Sequence, residues 1–311
     1  MSEQIILFFV EMIRIGTPLL LATLGEIYAE RSGVMNLGIE GIMAVSALMA
    51  FIGLFHTGSP VIGLIMALGV SLLLALIFAV LVVTLRANQL LSGLALSIFG
   101  LGLSGFLGKS YLGQTAPTGF TVVPIPILAD IPIIGQIFFN QYPLVYLSYI
   151  LVVIMWYVLF RSWFGLYVRS VGEDPATADV MGINVYLIRY LCIVIGGLLA
   201  GLSGAYLTLS YTRMWIEGMS AGRGWIAIAL TIFSLWNPLR AIMGAYLFGA
   251  IMALQFRLQA LEVGISSELL LTTPYLFTII ILVATSQEVI RKKLGAPAAL
   301  YKPYAREEFV T

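Results

Sequence analysis

The chain has 311 residues, of which 60% are hydrophobic and 10% charged, and its formal net charge is +1. Soluble domains carry about 25% charged residues, so a soluble globular protein is excluded, and a near-neutral chain has no field with which to hold nucleic acid. The apolar runs are far longer than the strands of a membrane barrel, which leaves an all-α polytopic membrane protein.

A span needs about 20 apolar residues. The first candidate covers residues 5–24; it lacks a basic leader and a small-residue cleavage site, so a retained span is expected rather than a signal peptide. Inside it, Glu11 and Arg14 stand three apart, a spacing at which opposite charges neutralise each other on one helix face. Residues 25–41, GEIYAERSGVMNLGIEG, are too polar to face lipid. Apolar runs follow at 37–55, 61–85 and 90–107, the last two separated by Arg86, Ala87, Asn88 and Gln89. Residues 109–142 form a loop rich in Pro and Gly and nearly uncharged, suited to packing over one membrane face. Runs at 143–160 and 187–210 flank a stretch with charges of both signs, RSWFGLYVRSVGEDPATADVMGINVYLIRY. Residues 224–235 are too short to span at 1.5 Å per residue; runs at 239–254 and 269–285 close the series. Eight to ten transmembrane helices are expected, with one or two broken or re-entrant segments, in a single membrane domain over residues 1–311. Cys192, the only cysteine, lies in an apolar run and reads as a small buried hydrophobe.

Basic residues mark the inner face of a membrane protein. Arg86, Arg161, Arg169 and the Arg-Lys-Lys cluster at 291–293 place loop 161–186 and tail 291–311 in the cytoplasm of a multi-pass cell-membrane protein, with 109–142 outside. A faint internal echo pairs Gly41-x-x-Ala44 and Pro60-x-x-Gly63-x-x-x-Ala67 with Gly224-x-x-Ala227 and Pro238-x-x-Ala241-x-x-x-Ala245. Transporters are often built from such repeats, with broken helices near the midplane.

Four places invite a functional reading. Within the charged stretch, Asp174 suits an N-cap with Pro175 at the first helical position, and Gly182 suits the left-handed residue after the helix. A short capped helix between two spans is either a docking element or a solvated hairpin. In GEIYAERSGVMNLGIEG, Glu26, Glu30, Arg31, Asn36 and Glu40 either line a translocation path or sit solvated in a loop. In RMWIEGMSAGRGW, Arg223 opens a short helix whose free N–H groups could meet a ligand, with Trp215 and Trp225 stacking on it and Asn237 marking the turn that follows. The rival reading is interfacial anchoring by Trp and Arg. Gly197-x-x-x-Gly201-x-x-x-Ala205 reads as close helix packing.

Other chemistry finds no support. GLSGFLGKS resembles a phosphate-binding loop but carries Leu103 where the motif needs Gly, and it follows no strand. One His and one Cys make a soft-metal site untenable, and His56, in a short turn, reads as interfacial.

TLGEIYAERSGVMNLGIEGIM, GEDPATADVMGIN and GRGWIAIALTIFSLWNPLRAIMGAYLFGA together resemble the permease subunits of ABC importers for simple sugars and nucleosides, in the group that includes branched-chain amino acid permeases. The string from Glu30 to Gly41 resembles the nucleoside branch most specifically. The resemblance covers nearly the whole chain, the final twenty residues least. It implies a non-enzymatic transport subunit with no catalytic residue, metal or cofactor of its own, working by alternating access. ATP and Mg would be bound by a partner ATPase, a second permease would complete the pathway, and an extracytoplasmic lipoprotein would deliver substrate. It further implies a coupling helix over 172–183, with Gly172, Glu173, Asp174, Pro175, Ala178, Gly182 and Ile183 at the ATPase; along the pathway, the polar strings themselves offer Glu30, Asn36, Glu40, Arg223, Trp225 and Asn237. The general importer pattern E-A-A-x-x-x-G is only partly matched, because Ala176-Thr177-Ala178 lacks the glutamate. An ion-coupled secondary transporter working through Glu11, Glu26 or Glu40 is the alternative.

Overall fold

The computed structural model describes residues 2–261, 266, 269–270, 272–285 and 295–306. The 291–293 cluster, part of the expected last span and residues 307–311 lie outside the described residues. The fold is all-α. Its helices are α1 (Ser2–Arg31), α2 (Ile39–Thr57), α3 (Pro60–Ala79, extended by a π turn to Thr84), α4 (Gln89–Gly108), α5 (Ile134–Phe138), α6 (Pro143–Arg161), α7 (Trp163–Glu173), α8 (Pro175–Val180), α9 (Val185–Tyr206, extended by a π turn to Thr212), α10 (Arg223–Phe233), α11 (Pro238–Ala260) and α12 (Thr273–Thr285). Among the described residues, seven helices are long and apolar enough to cross a membrane: α1 to α4, α6, α9 and α11. The 11-residue α10 covers about 16 Å, half a membrane's hydrocarbon thickness.

The first span is longer than its apolar run. Helix α1 continues through Glu26 and Glu30, which are fully buried, because α1 packs against α9, α10 and α11 and never exposes that turn to lipid. Helix α2 packs against α3, α4 and α9. Small residues set these crossings. A Cβ on Gly197 or Gly201 would strike Ala75 or Ser71 of α3, and one on Gly204 would strike the Met43 carbonyl of α2. The glycine stripe of α9 is therefore a packing seam, as its spacing predicts.

The internal echo corresponds to an arrangement in space. α1 packs on α11 as α9 packs on α3. α1 and α9 run in opposite directions, since the end of α1 lies beside the start of α9, where the Arg189 Nε–H donates to the Ser32 carbonyl. The triplets α1–α3 and α9–α11 are thus inverted with respect to each other, and the N-termini of α2 and α10 meet between them.

The 109–142 segment packs over the end of the bundle opposite Arg31. Strands β1 (Val123–Pro124) and β2 (Asn140–Gln141) pair antiparallel. The Phe120 and Ala116 amides donate to Leu209 and Arg213 carbonyls, and the Arg14 guanidinium holds both Gln141, at 3.1 Å, and Glu11, at 3.2 Å. His56 meets the Tyr111 hydroxyl at the same end, an interfacial position.

Candidate functional site

Two sites emerge from the residues singled out above. The first is the junction of the inverted triplets. After Arg31 the chain leaves the helix and re-enters one at Ile39. Gly33 adopts φ +88°, and a side chain there would crowd Arg189 and the Ala299 carbonyl, so only glycine fits. Three buried amides in the break are satisfied by side chains. Asn36 N–H donates to Glu26 Oε1 (2.8 Å), Gly38 N–H to Asn36 Oδ1 (2.9 Å) and Met35 N–H to Gln89 Oε1 (3.1 Å). The solvated-loop reading of this string is overturned: Glu26, Glu30, Asn36 and Glu40 are all buried. Burying carboxylates is costly unless they are bonded, and each of these carboxyls has a donor.

The same string clamps α10 from both ends. Glu40 accepts from the N–H groups of Gly222 (2.8 Å) and Gly224 (2.6 Å), at the start of α10. A helix N-terminus leaves such donors unpaired and carries partial positive charge, so a carboxylate is the fitting cap. These amides are therefore not free for a ligand, which removes that part of the ligand reading, because Glu40, 182 and 184 positions away, already occupies them. At the other end, the Arg31 guanidinium donates to the Leu235 and Trp236 carbonyls just past α10, and Trp236 Nε1–H donates to Glu30 Oε2. Gly224 has no room for a side chain beside Glu40.

The remaining pathway candidates divide by burial. Arg223 is buried and donates to the Met219 and Ser220 carbonyls. Asn237 caps α11 through Oδ1, which accepts from Leu239 N–H at 3.0 Å. Trp225 is half-buried in the first turn of α10. Trp215 is 1% exposed and sits against Gly108, so it cannot also stack on a ligand.

The second site is the polar loop. Asp174 Oδ1 accepts from the Ala176 and Thr177 amides, and Pro175 stands at the first helical position of α8. The Thr177 hydroxyl, then its amide, holds the Asp174 carboxyl below the usual aspartate range. At the far end Gly182 has φ +86°. Its N–H donates to the Asp179 carbonyl and Ile183 N–H to the Ala178 carbonyl, the double bond pattern of a Schellman cap. The loop residues do not share one role. Glu173, Asp174 and Gly182 are exposed, and Pro175 and Ile183 half-buried, whereas Gly172 and Ala178 are buried. A Cβ on Gly172 would lie 2.0 Å from the Arg31 carbonyl, so Gly172 is an internal junction between α7 and α1. Sequence reasoning passed over Val180 and Met181, which are 87% and 77% exposed; two bare apolar side chains ending a polar loop were the available signal. Gly182→Val should strain the cap by roughly 1–2 kcal/mol, since nothing crowds the site and the left-handed backbone alone opposes the change. Backbone amide exchange in α8 should then rise while the seven spans keep their protection; unchanged exchange would contradict the cap.

Residues 8–285 match the family described as the branched-chain amino acid transport system permease component. The chain belongs to that family. Among similar proteins, TsgC13 of Haloferax volcanii, provisionally named a glucose ABC transporter permease protein, is 40% identical over 95% of this chain and 96% of its own. The guanosine ABC transporter permease protein NupQ of Bacillus subtilis is 37% identical over 86% of this chain and 88% of its own. The nucleoside ABC transporter permease protein NupC of Lactococcus lactis is 34% identical over 87% and 89%. No solved structure matches. The protein is a multi-pass membrane permease subunit of the ABC type, a transport component rather than an enzyme.

Proposed function

We propose that this permease imports a nucleoside or a simple sugar, driven by partner ATPase subunits that dock on α8. The observation that carries the substrate class is the nearly full-length similarity to permeases named for guanosine, nucleosides and glucose, solutes that share a hydroxylated ring. The end bearing Arg31, α7 and α8 is then cytoplasmic, in keeping with Arg86, Arg161 and Arg169, and the tail shares that side. Glu173, Asp174, Gly182 and the Val180–Met181 pair offer the ATPase an exposed face. ATP-driven closure of the ATPase pair moves α8, and the bundle rocks around a path completed by a second permease. A soluble or lipid-anchored binding protein delivers substrate to the face covered by 109–142. This chain brings no cofactor; ATP and Mg stay on the ATPase.

Uptake of labelled nucleosides and sugars by cells carrying the complete transporter tests this. Uptake should vanish when the partner ATPase is catalytically dead and persist under ionophores. The reverse pattern would establish the ion-coupled alternative and overturn the proposal. Trp225 is half-buried in the first turn of the clamped helix, and stacking of a base on an aromatic ring is worth about 1–3 kcal/mol. Trp225→Ala should therefore lower uptake of a nucleoside at least fivefold with normal membrane levels; equal uptake would assign the ring to anchoring.

A further inference from the structure

Residues 295–306 have no expected role beyond a tail, yet several of them are packed into the rest of the chain. Pro297, Ala299, Tyr304 and Ala305 are buried. We propose that this segment is a coupling strap, joining α8 to the break between α1 and α2 so that displacement of one repositions the other. The inference rests on the reading of α8 as the ATPase-docking helix and adds to it the route by which α8 reaches the junction.

The contacts trace that route residue by residue. Arg306 Nε pairs with Asp179 Oδ2 on α8 at 2.8 Å. The Tyr304 ring lies 5.7 Å from that of Tyr186 in the first turn of α9. Arg189, one turn further along α9 and 2% exposed, donates from Nη1 to the Lys302 carbonyl and from Nε to the Ser32 carbonyl, both at 3.3 Å. One guanidinium thus ties the strap to the first residue of the break. The Ala299 N–H donates to the Gly172 carbonyl at 2.9 Å, and its own carbonyl packs where Gly33 has no side chain. Arg31, which grips the end of α10, also donates to the Gly295 carbonyl.

The consequence is mechanical. α8 itself packs on α7 and α9. The strap adds a path from α8 to Ser32 and Gly33, and from there to Glu40, which holds α10. A tail that only decorated the surface would not bury Pro297, Ala299, Tyr304 and Ala305, and it would not share a buried guanidinium with the helix break. A guanidinium fork fixes direction as well as distance, which suits a joint that must transmit rotation.

The test uses the whole transporter, purified with its ATPase and reconstituted in vesicles with its binding protein. Variants are a chain ending at residue 294, Ala299→Pro, Asp179→Arg, Arg306→Asp, and the last two combined. Co-purified ATPase, ATP turnover and solute transported per ATP are measured. The strap predicts that in the truncated chain, Ala299→Pro and Arg306→Asp the ATPase remains bound and hydrolyses ATP within twofold of wild type; Asp179 stands on the docking helix itself, so Asp179→Arg is read only by solute per ATP and by its rescue. Solute per ATP should fall at least tenfold in the truncated chain and severalfold in Ala299→Pro. It should fall two- to threefold in each charge variant and return in the double exchange. Unchanged solute per ATP in the truncated chain overturns the strap. So does loss of ATPase from the complex, which would make the segment a docking surface. Should the truncated chain fail to insert, Ala299→Pro and the charge exchange decide: normal coupling in the first, or no rescue in the second, overturns the proposal. If the wild-type chain binds no ATPase, the permease reading fails and the strap with it.

Discussion

Glu40→Ala is expected to destabilise the fold by roughly 3–5 kcal/mol and to abolish uptake. The carboxylate accepts two short bonds from Gly222 and Gly224, and alanine would leave both amides unpaired in a buried site. Bonds to a charged acceptor contribute about 1.5–3 kcal/mol each, and orphaned buried donors carry a similar penalty. Glu40→Gln separates charge from geometry: its carbonyl oxygen can keep one amide, and about half the loss should remain. Thermal unfolding in detergent and uptake in cells both report on it. An alanine variant that melts and transports like the wild type would remove the clamp from the account.

Gly204→Val is expected to prevent accumulation of folded permease. Its Cβ would stand 2.2 Å from the Met43 carbonyl, and a helix carbonyl cannot swing aside as a side chain can. Nor can α2 retreat, because on its other flank it lies against α4 so closely that a Cβ on Gly100 would stand 2.6 Å from Gly41. Overpacking a well-filled interior costs about 1–3 kcal/mol even where neighbours yield, and here backbone would have to move on two sides. Gly69→Val is the control, a helical glycine with open space around it, and it should accumulate normally. Size-exclusion profiles of the two variants make the comparison; a monodisperse Gly204→Val peak would refute the seam.

Local chemistry was legible in the sequence, and distant pairing was not. Asp174, Pro175 and Gly182 cap α8 as their order predicts, because a cap is settled within a few residues. The Glu11–Arg14 pair and the glycine stripe of α9 follow from helical spacing in the same way. Glu40 could be recognised as a membrane-depth charge, but its partners lie about 180 positions on, and nothing in its neighbours names them. The same distance hid Glu30 and Arg31 as the far jaw of the clamp. Trp215 looked like a ligand platform because a sequence shows a ring's presence and not the Gly108 backbone pressed against it. Helix α1 runs seven residues past the apolar run that predicts it, because the Asn36 amide and the Trp236 ring N–H each reach one carboxyl oxygen of Glu26 and Glu30 inside the bundle.

The clamp and the strap differ in one respect that bears on where such a protein can work. Dissolved ions screen charges that water reaches, over a Debye length of about 8 Å at physiological ionic strength, and hardly touch those it does not. Glu40 is 3% exposed, whereas the Arg306 side chain of the strap pair is 72% exposed. Rising salt therefore loosens the outer joint while leaving the inner one at full strength. The helix packing would survive a brine that had already slackened the connection to α8, so that coupling weakens from the rim inward, by no more than the loss of that one pair, with the bundle still intact.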